Sequence, residues 1–384
     1  MSKIRLAMVG GGQGAFIGAV HRTAAWIDGQ AEFVAGSFSS NLEKCQQTGQ
    51  DLFLNPDRVY ATYSEMMEAE SSYPEDQRID AVSIVTPNHL HAAPALEAMS
   101  KGFHVIVDKP MAFSVDEAIE MEKAAREHNV LLAVTHTYSG YPMIKEMKHR
   151  VANGDLGTIR KIYVEYPQGW LSTGLDLEGQ KQASWRTDPS KSGAGGAVGD
   201  IGTHAAHLAE YVASSSITHV AAELGIHIEG RRLDDDAAAL LRFGNGATGV
   251  LMATQVAAGE ENTLKLRIYG EKGGFEWSHA DPNSLLYKPL DAPLQILRTG
   301  NGYLCEAAAN ASRIPPGHPE GYLEAFANLY LEFFQAIRDH KAGTSMKYDF
   351  PDGVDGVHGL QFIDAMIRSS QSEQKWTKVE RYTP

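Results

Sequence analysis

The sequence predicts two domains: an α/β domain built on a doubly wound parallel sheet, then an α+β domain with a large, mostly antiparallel sheet. Three observations carry this. Strand-like and helix-like segments alternate through the first third of the chain, the signature of parallel β-α-β units. After about residue 140 the pattern changes to two-residue alternations joined by short turns such as Gly244-Asn245-Gly246, a hairpin signal. The chain has 384 residues, more than one hydrophobic core usually organises.

Taken in order, Lys3–Val9 and Ala31–Ser37 read as short apolar strands, the second followed by a helix-like stretch over Leu42–Gln50. Asp80–Val85 is rich in Val and Ile, as a strand buried on both faces should be. Ala92–Ser100 reads as helix, Phe103–Asp108 and Leu131–Thr135 as strands. Between these strands, Ser114-Val115-Asp116-Glu117 has the capping-box pattern that opens a helix running to about His128. In the second part a helix over Pro142–Asn153 precedes alternating segments at Ile159–Tyr166, Val220–Ile228, Ala237–Phe243, Ala247–Val256, Leu264–Tyr269, Gly274–Trp277 and Leu285–Lys288. Two helices close the chain, about Pro319–Ala342 and Val354–Ser370. The change of pattern sets the boundary near residues 136–142, giving domains 1–138 and 139–384. The cleft between them is the expected place for a ligand.

With 34 Lys+Arg against 48 Asp+Glu, the net charge is −14. Such a chain repels phosphate backbones, so nucleic acid is excluded as the main partner and an anionic membrane is disfavoured. Hydrophobic residues at 43% and charged residues at 21% suit a folded globular chain, not a disordered or fibrous one. Cys45 and Cys305 make neither a disulfide framework nor a zinc site, which suits a reducing, cytoplasmic setting. The N-terminal apolar run is too short for a signal peptide, and no segment has the length of a membrane span. The 15 histidines show no metal-binding spacing, so no metal is expected.

Gly10-Gly11-Gly12-Gln13-Gly14-Ala15-Phe16-Ile17-Gly18 follows the first strand. Glycines there let the backbone turn tightly and approach a pyrophosphate, while the helix behind them offers free N–H groups. Gly10 and Gly12 fit the Gly-x-Gly-x-x-Gly spacing, Ala15 stands at the third place, and Gly18 takes over as the helix-packing glycine. Residues 1–138 therefore read as a dinucleotide-binding Rossmann domain, with Gly10, Gly12, Gln13, Gly14, Ala15 and Phe16 against the cofactor. No acid stands at the end of the second strand to bond the ribose of NAD. Ser39, Ser40 and Lys44 could instead hold the 2′-phosphate of NADP, or the serines could cap the next helix. NAD and NADP both stay open.

Thr86-Pro87-Asn88-His89-Leu90-His91 and Asp108-Lys109-Pro110 both follow strands, at the ends where open α/β sheets bind ligands. A third segment is glycine-rich and runs from Ser192 to His204, with Asp200 and His204 four residues apart, on one face of a helix. Together these residues resemble the Gfo/Idh/MocA family, the relatives of glucose–fructose oxidoreductase and inositol dehydrogenase, over nearly the whole chain. The family usually has Glu-Lys-Pro where this chain has Asp108-Lys109-Pro110. The resemblance implies that Lys109 carries the catalytic amine, that the bond before Pro110 is cis, and that Asp200 and His204 are catalytic. It implies that Thr86, Pro87, Asn88, His91, Asp108, Lys109 and Pro110 lie along the cofactor. It also makes Trp185, Arg186 and His318 substrate contacts, and the assembly a homodimer or homotetramer.

The implied chemistry removes a hydride and a proton from a secondary alcohol. His204 can accept the proton near neutral pH, and Lys109, as ammonium, can donate to the same oxygen. Asp200 can orient the imidazole or hold a neighbouring hydroxyl. Which of Lys109 and His204 is the immediate base is open. His136 and Tyr138, after the strand at the domain junction, are expected to face the cleft, and Trp170 either stacks on a sugar ring or packs in the core. His207 lies one turn beyond His204. The expected protein is an NAD(P)-dependent sugar or polyol dehydrogenase acting on CH–OH. Its substrate would be a sugar or glycoside oxidised at C3, or a cyclitol such as an inositol. Two other readings stand: a redox-neutral NAD-dependent glycosidase working through a 3-keto intermediate, and a non-catalytic dinucleotide-binding regulatory protein.

Overall fold

The computed structural model describes residues 2–176, 178, 180–344 and 347–384. In chain order the first elements are β1 (Ile4–Gly10), α1 (Phe16–Trp26), β2 (Ala31–Ser37), α2 (Leu42–Asp51), α3 (Tyr63–Ser72), β3 (Ala81–Val85), α4 (Ala92–Ser100), β4 (His104–Val107), α5 (Val115–Glu127) and β5 (Leu132–Val134). Then come α6 (Pro142–Ala152), β6 (Ile159–Pro167), α7 (Lys181–Arg186), α8 (Pro189–Ser192), α9 (Thr203–Ala213), β7 (Ile217–Gly225), β8 (Asp236–Phe243), β9 (Thr248–Thr254), β10 (Lys265–Gly270), β11 (Gly273–Ser278), β12 (Ser284–Pro289) and β13 (Gln295–Arg298). The chain ends with α10 (Glu306–Asn310), α11 (Tyr322–Lys341), α12 (Gly353–Ser370) and β14 (Thr377–Lys378). Among the described residues, no helix is long and apolar enough to cross a membrane.

The chain forms two compact units. One runs to His136 and includes Phe326–Val357 and Thr383–Pro384; the other holds Thr137–Ala325 and His358–Tyr382. The sequence division placed residues 326–357 with the second domain, but α11 puts Tyr330 against His21 and Ser83 and ties Arg338 to Gln30 in the first unit.

The first unit carries the doubly wound parallel sheet, in strand order β2-β1-β3-β4-β5. Strand β3 reads Ala-Val-Ser-Ile-Val and is buried throughout, because it sits in the middle of a parallel sheet. The order reverses between β1 and β3, so the chain leaving β1 enters the crevice where such sheets take ligands. Gly18 on α1 lets the helix close on the loop before it: a Cβ there would stand 2.4 Å from Gly11 Cα. Sequence reasoning missed α3, although its Thr62/Glu65 capping box is complete. At α5 the Ser114 hydroxyl caps Glu117 N–H as expected, but the Glu117 carboxylate reaches back to Phe113 N–H, one residue before the cap.

The second unit carries a nine-stranded sheet in the order β13-β12-β11-β10-β6-β9-β8-β7-β14. It is antiparallel except where β6 runs parallel to β9. Along β8, Ala237, Ala239, Leu241 and Phe243 are buried while Ala238, Leu240 and Arg242 are exposed, so one face is covered and the other open. Helices α6 and α9 lie on the covered face. The edge strand β13 is mostly exposed, which is why its sequence lacks the alternation that marks the inner strands.

Gly18→Ala should cost about 1–3 kcal/mol, because the Gly11 backbone can give way only by moving the loop. A lowered midpoint in urea unfolding is the expected result; an unchanged midpoint would show that the helix and loop are not in tight contact.

Candidate functional site

In the first unit the glycine-rich loop has the conformation its composition allows. Gly10, Gly11 and Gly14 have φ of +82°, +70° and +77°, where only glycine sits without strain. Gly10 presses on the β3 exit: a Cβ would come 2.9 Å from Thr86 Cγ2. Gly12 donates its N–H to Phe38 O at 3.1 Å, tying the loop to the exit of β2. Ala15 is the N-cap residue of α1 and supplies no side-chain cap, so the first N–H groups of the helix keep their capacity for an anion. Phe16 is exposed beside them. Gln13 donates its side-chain amide to Asp51 at 2.8 Å.

At the β2 exit neither serine caps α2. Asn41 does, its Oδ1 accepting Lys44 N–H at 2.9 Å, while Ser39 Oγ accepts Asn41 N–H at 3.1 Å. Ser40 and Lys44 are exposed and Ser39 is half-buried.

The two strand-end segments are stapled together by His91. Its Nε2 lies 2.7 Å from Thr86 O and its Nδ1 3.0 Å from Pro110 O, and the Lys109–Pro110 bond is cis. Burial pushes the His91 pKa down, opposed by Asp108 and the carbonyls. His91 thus lies packed between the two carbonyls, and its neutral ring donates a hydrogen bond to one of them. Asn88 and His136 are buried, and Lys109 is half-buried beside Asp108.

In the second unit the glycine-rich run is gripped by Asp234. Its carboxylate accepts Gly196 N–H at 2.6 Å and Val198 N–H at 2.7 Å, and its carbonyl accepts Ala197 N–H at 2.8 Å. Only glycine fits at 196, where a Cβ would lie 2.0 Å from Asp234 O. The run then forms a π turn, Val198–Gly202, that leads into α9 and carries Asp200; such turns are frequent at functional sites. Asp200 Oδ2 accepts Gln255 Nε2 at 2.8 Å and lies 3.5 Å from Arg186 Nε. The Arg186 guanidinium also covers the Trp185 ring at 4.4 Å.

His204 stands edge-on to Tyr138, ring centroids 5.0 Å apart. From Tyr138 a polar chain runs back to Asp200. The Tyr138 hydroxyl meets that of Tyr166, which donates to Asn262 Oδ1 at 2.7 Å. Gln168 donates to the same oxygen at 2.6 Å. Trp170 Nε1 donates to Gln168 Oε1 at 3.0 Å, and Gln255 reaches Gln168 at 3.4 Å and Asp200. Burial raises the Tyr138 phenol to about 12, so it stays neutral at working pH. His279 braces the same cluster, with Nδ1 2.8 Å from Asn262 O and Nε2 2.9 Å from Tyr141 Oη; burial lowers its pKa.

The structure thus joins Asp200 to Arg186, Trp185 and, through amides, Trp170, and joins His204 to Tyr138. His207 instead stacks on Tyr211, and His318 is exposed, its Nδ1 3.2 Å from Pro315 O. Tyr166, Gln168, Gln255, Asn262 and His279 escaped sequence reasoning. Each is a lone polar residue in a strand or in a loop beside one, with no motif around it.

The comparisons agree with both halves. Residues 4–136 match a family model described as an oxidoreductase family NAD-binding Rossmann fold, and residues 144–276 match the GFO/IDH/MocA C-terminal domain. An uncharacterized oxidoreductase of Bacillus subtilis, YfiI, is 31% identical over 98% of this chain and 96% of its own. The crystal structure of an inositol dehydrogenase homolog from Azotobacter vinelandii with NAD+ is similar at TM-score 0.93 and 33% identity, covering 98% of this chain and 97% of its own. The levoglucosan dehydrogenase structure with NADH and levoglucosan is similar at TM-score 0.85 and 25% identity, covering 99% of this chain and all (100%) of its own. The curated levoglucosan dehydrogenase of Pseudarthrobacter phenanthrenivorans is 28% identical over 79% of this chain and 81% of its own.

Burial raises the Asp234 carboxyl to about 6, against the pull of its N–H partners. A carboxyl that holds its proton more tightly when folded stabilises the fold below its unfolded value, about 4. That contribution is lost as pH rises through the folded value. Between about pH 4 and about pH 6 this group should remove about 2 kcal/mol of stability. Urea unfolding at the two pH values should show this slope in the wild type and a flatter one in Asp234→Asn; equal slopes would contradict it.

Proposed function

The chain belongs to the Gfo/Idh/MocA oxidoreductase family, and we propose that it is a dehydrogenase of an uncharged sugar, glycoside or cyclitol, oxidising a ring secondary hydroxyl, with C3 of a pyranose favoured. The observation that carries this is the polar chain around Asp200 and His204. Its members Tyr138, Tyr166, Asn262, Gln168, Gln255 and Trp170 are all neutral. Neutral donors and acceptors suit hydroxyls, and Arg186, 3.5 Å from Asp200, is engaged by it and by Trp185 rather than set out for a phosphate. Relatives with matching halves bind NADH together with myo-inositol or levoglucosan, which supports the same substrate class.

The residues of the first unit fit a nicotinamide dinucleotide: the left-handed glycines and the α1 terminus without a side-chain cap are what a pyrophosphate needs. When bound, the nicotinamide accepts the hydride. Thr86 and Pro110 are fixed by His91, which presents the strand ends as one surface. His204 takes the hydroxyl proton, and Lys109, as ammonium, donates a hydrogen bond to the same oxygen and stabilises its alkoxide character. Asp200 holds a neighbouring hydroxyl, its own position set by Gln255 and Arg186. Buried Tyr138 stays protonated and packs against the His204 ring. The homo-oligomer we propose would use the uncovered face of the nine-stranded sheet, a surface that can meet a copy of itself about a two-fold axis.

The test is cofactor reduction followed by absorbance, with NAD and NADP each offered inositols, pyranoses, anhydrosugars and glycosides. Reduction with one of these groups is expected. Lys109→Ala and His204→Ala should each lower kcat/KM by about 10²–10⁴. Aglycone release without net reduction would replace this reading by the redox-neutral glycosidase, and cofactor binding without any reaction would favour a regulatory protein.

A further inference from the structure

One buried titratable group of the first unit has no part in the chemistry above. His21, on α1, is wholly buried, three residues beyond the glycine that packs the helix on its loop. Its Nδ1 lies 2.8 Å from the Tyr330 hydroxyl and 3.2 Å from that of Ser83, and these two hydroxyls are 3.1 Å apart. Phe326 meets the ring edge-on at 4.6 Å. The ring therefore has one orientation, and in it Nε2 faces Asp108 Oδ1 at 3.9 Å. That is beyond a direct hydrogen bond but close for a charge interaction in a buried site. A ring lone pair aimed at a carboxylate would repel it, so Nε2 carries its hydrogen on the side of Asp108.

Asp108 precedes Lys109 in the chain, and its side chain accepts the Thr135 hydroxyl at 2.7 Å. Burial alone would raise this carboxyl. His21, then Lys109 and Thr135, outweigh burial and hold it well below the usual carboxylate range. The charged and titratable groups around it are His21, Lys109, His91 and Tyr330. The result is a half-buried anion held ionised next in the chain to Lys109, braced by His21 from α1, which Ser83 of β3 and Tyr330 of α11 fix, and by Thr135 after β5. A buried carboxylate without such partners would take up a proton.

We propose that His21 is a positioning residue for Lys109, acting through Asp108: it keeps the neighbouring carboxylate charged and in place, and so fixes the ammonium that serves the reacting hydroxyl. The inference rests on the role proposed for Lys109, but its physical core does not need turnover. If His21 is lost, Asp108 is free to protonate, its attraction for an ammonium weakens, and the Lys109 amine becomes more reactive.

The experiment compares wild type, His21→Leu, His21→Gln and Asp108→Asn by competitive acetic anhydride labelling across pH, reading Lys109 against the exposed Lys123 by mass spectrometry. Thermal melting and NADH binding check that each variant is folded. Lys109 in His21→Leu should acylate at least about threefold faster than in wild type, and Asp108→Asn should match it. His21→Gln, whose amide N–H can replace Nε2–H, should return the rate toward wild type. In turnover, kcat of His21→Leu should fall about 10–100-fold with little change in KM, and the acid limb of its pH profile should move to higher pH. Should His21→Leu fail to fold, Asp108→Asn and His21→Gln carry the labelling test. Unchanged Lys109 labelling in folded His21→Leu, or in folded Asp108→Asn where that variant stands in, would overturn the proposal, as would equal effects of Leu and Gln. Absence of turnover in the wild type would instead overturn the dehydrogenase reading and leave the labelling result to decide this one.

Discussion

Asp234 accepts the N–H groups of Gly196 and Val198 on its carboxylate and that of Ala197 on its carbonyl. The layout of the second unit's site depends on this grip. It forces glycine at 196, since any Cβ would strike the Asp234 carbonyl, and it starts the π turn that sets Asp200 and leads into the helix of His204. The same short segment reaches a second loop. Arg231 pairs with Asp235 and Asp176 and donates to Thr173 O, which anchors the stretch just after Trp170. Charges this deeply buried cost much desolvation, which the close partners of the two terminal nitrogens of Arg231 offset in part. Two loops that carry site residues are thus fixed by residues 231–235, just before β8.

On the proposed function, the two units handle their ligands by different means. The first relies on backbone: left-handed glycines, a helix start without a side-chain cap, and carbonyls packed against His91. Such a surface reads the shape and charge common to dinucleotides and says little about their base or ribose. The second relies on side-chain amides and hydroxyls that bond one another in a chain from Tyr138 to Asp200. Each is held by the next, so the orientation of the cluster is set by the fold.

The parts legible in the sequence were those with local causes. Strand β3 showed itself by its Val and Ile residues, α5 by Ser114 and Glu117, and the glycine-rich loop by glycines whose φ is positive. Lys109, Asp200 and His204 stood out by joint resemblance to one family. What stayed hidden depends on contacts between distant residues. Nothing near Gln255 or Asn262 in the chain announces that both end in one hydrogen-bond chain, and nothing near Asp234 announces a grip on residues 196–198. The same holds for α11, whose Tyr330 meets His21 from 309 residues away. Asn41, not Ser39 or Ser40, caps α2 for a local reason that the serines obscured.

The most direct measurement is isotope transfer. A pyranoside and a myo-inositol, each carrying deuterium on the ring carbons that bear hydroxyls, would be incubated with the protein and oxidised cofactor, and the reduced cofactor weighed by mass spectrometry. One deuterium gained by the nicotinamide is the expected result, since it can arrive only as hydride from a ring carbon. Reduced cofactor without label, or no reduction with any labelled sugar or cyclitol, would contradict the assignment of this chain to the oxidation of a ring hydroxyl.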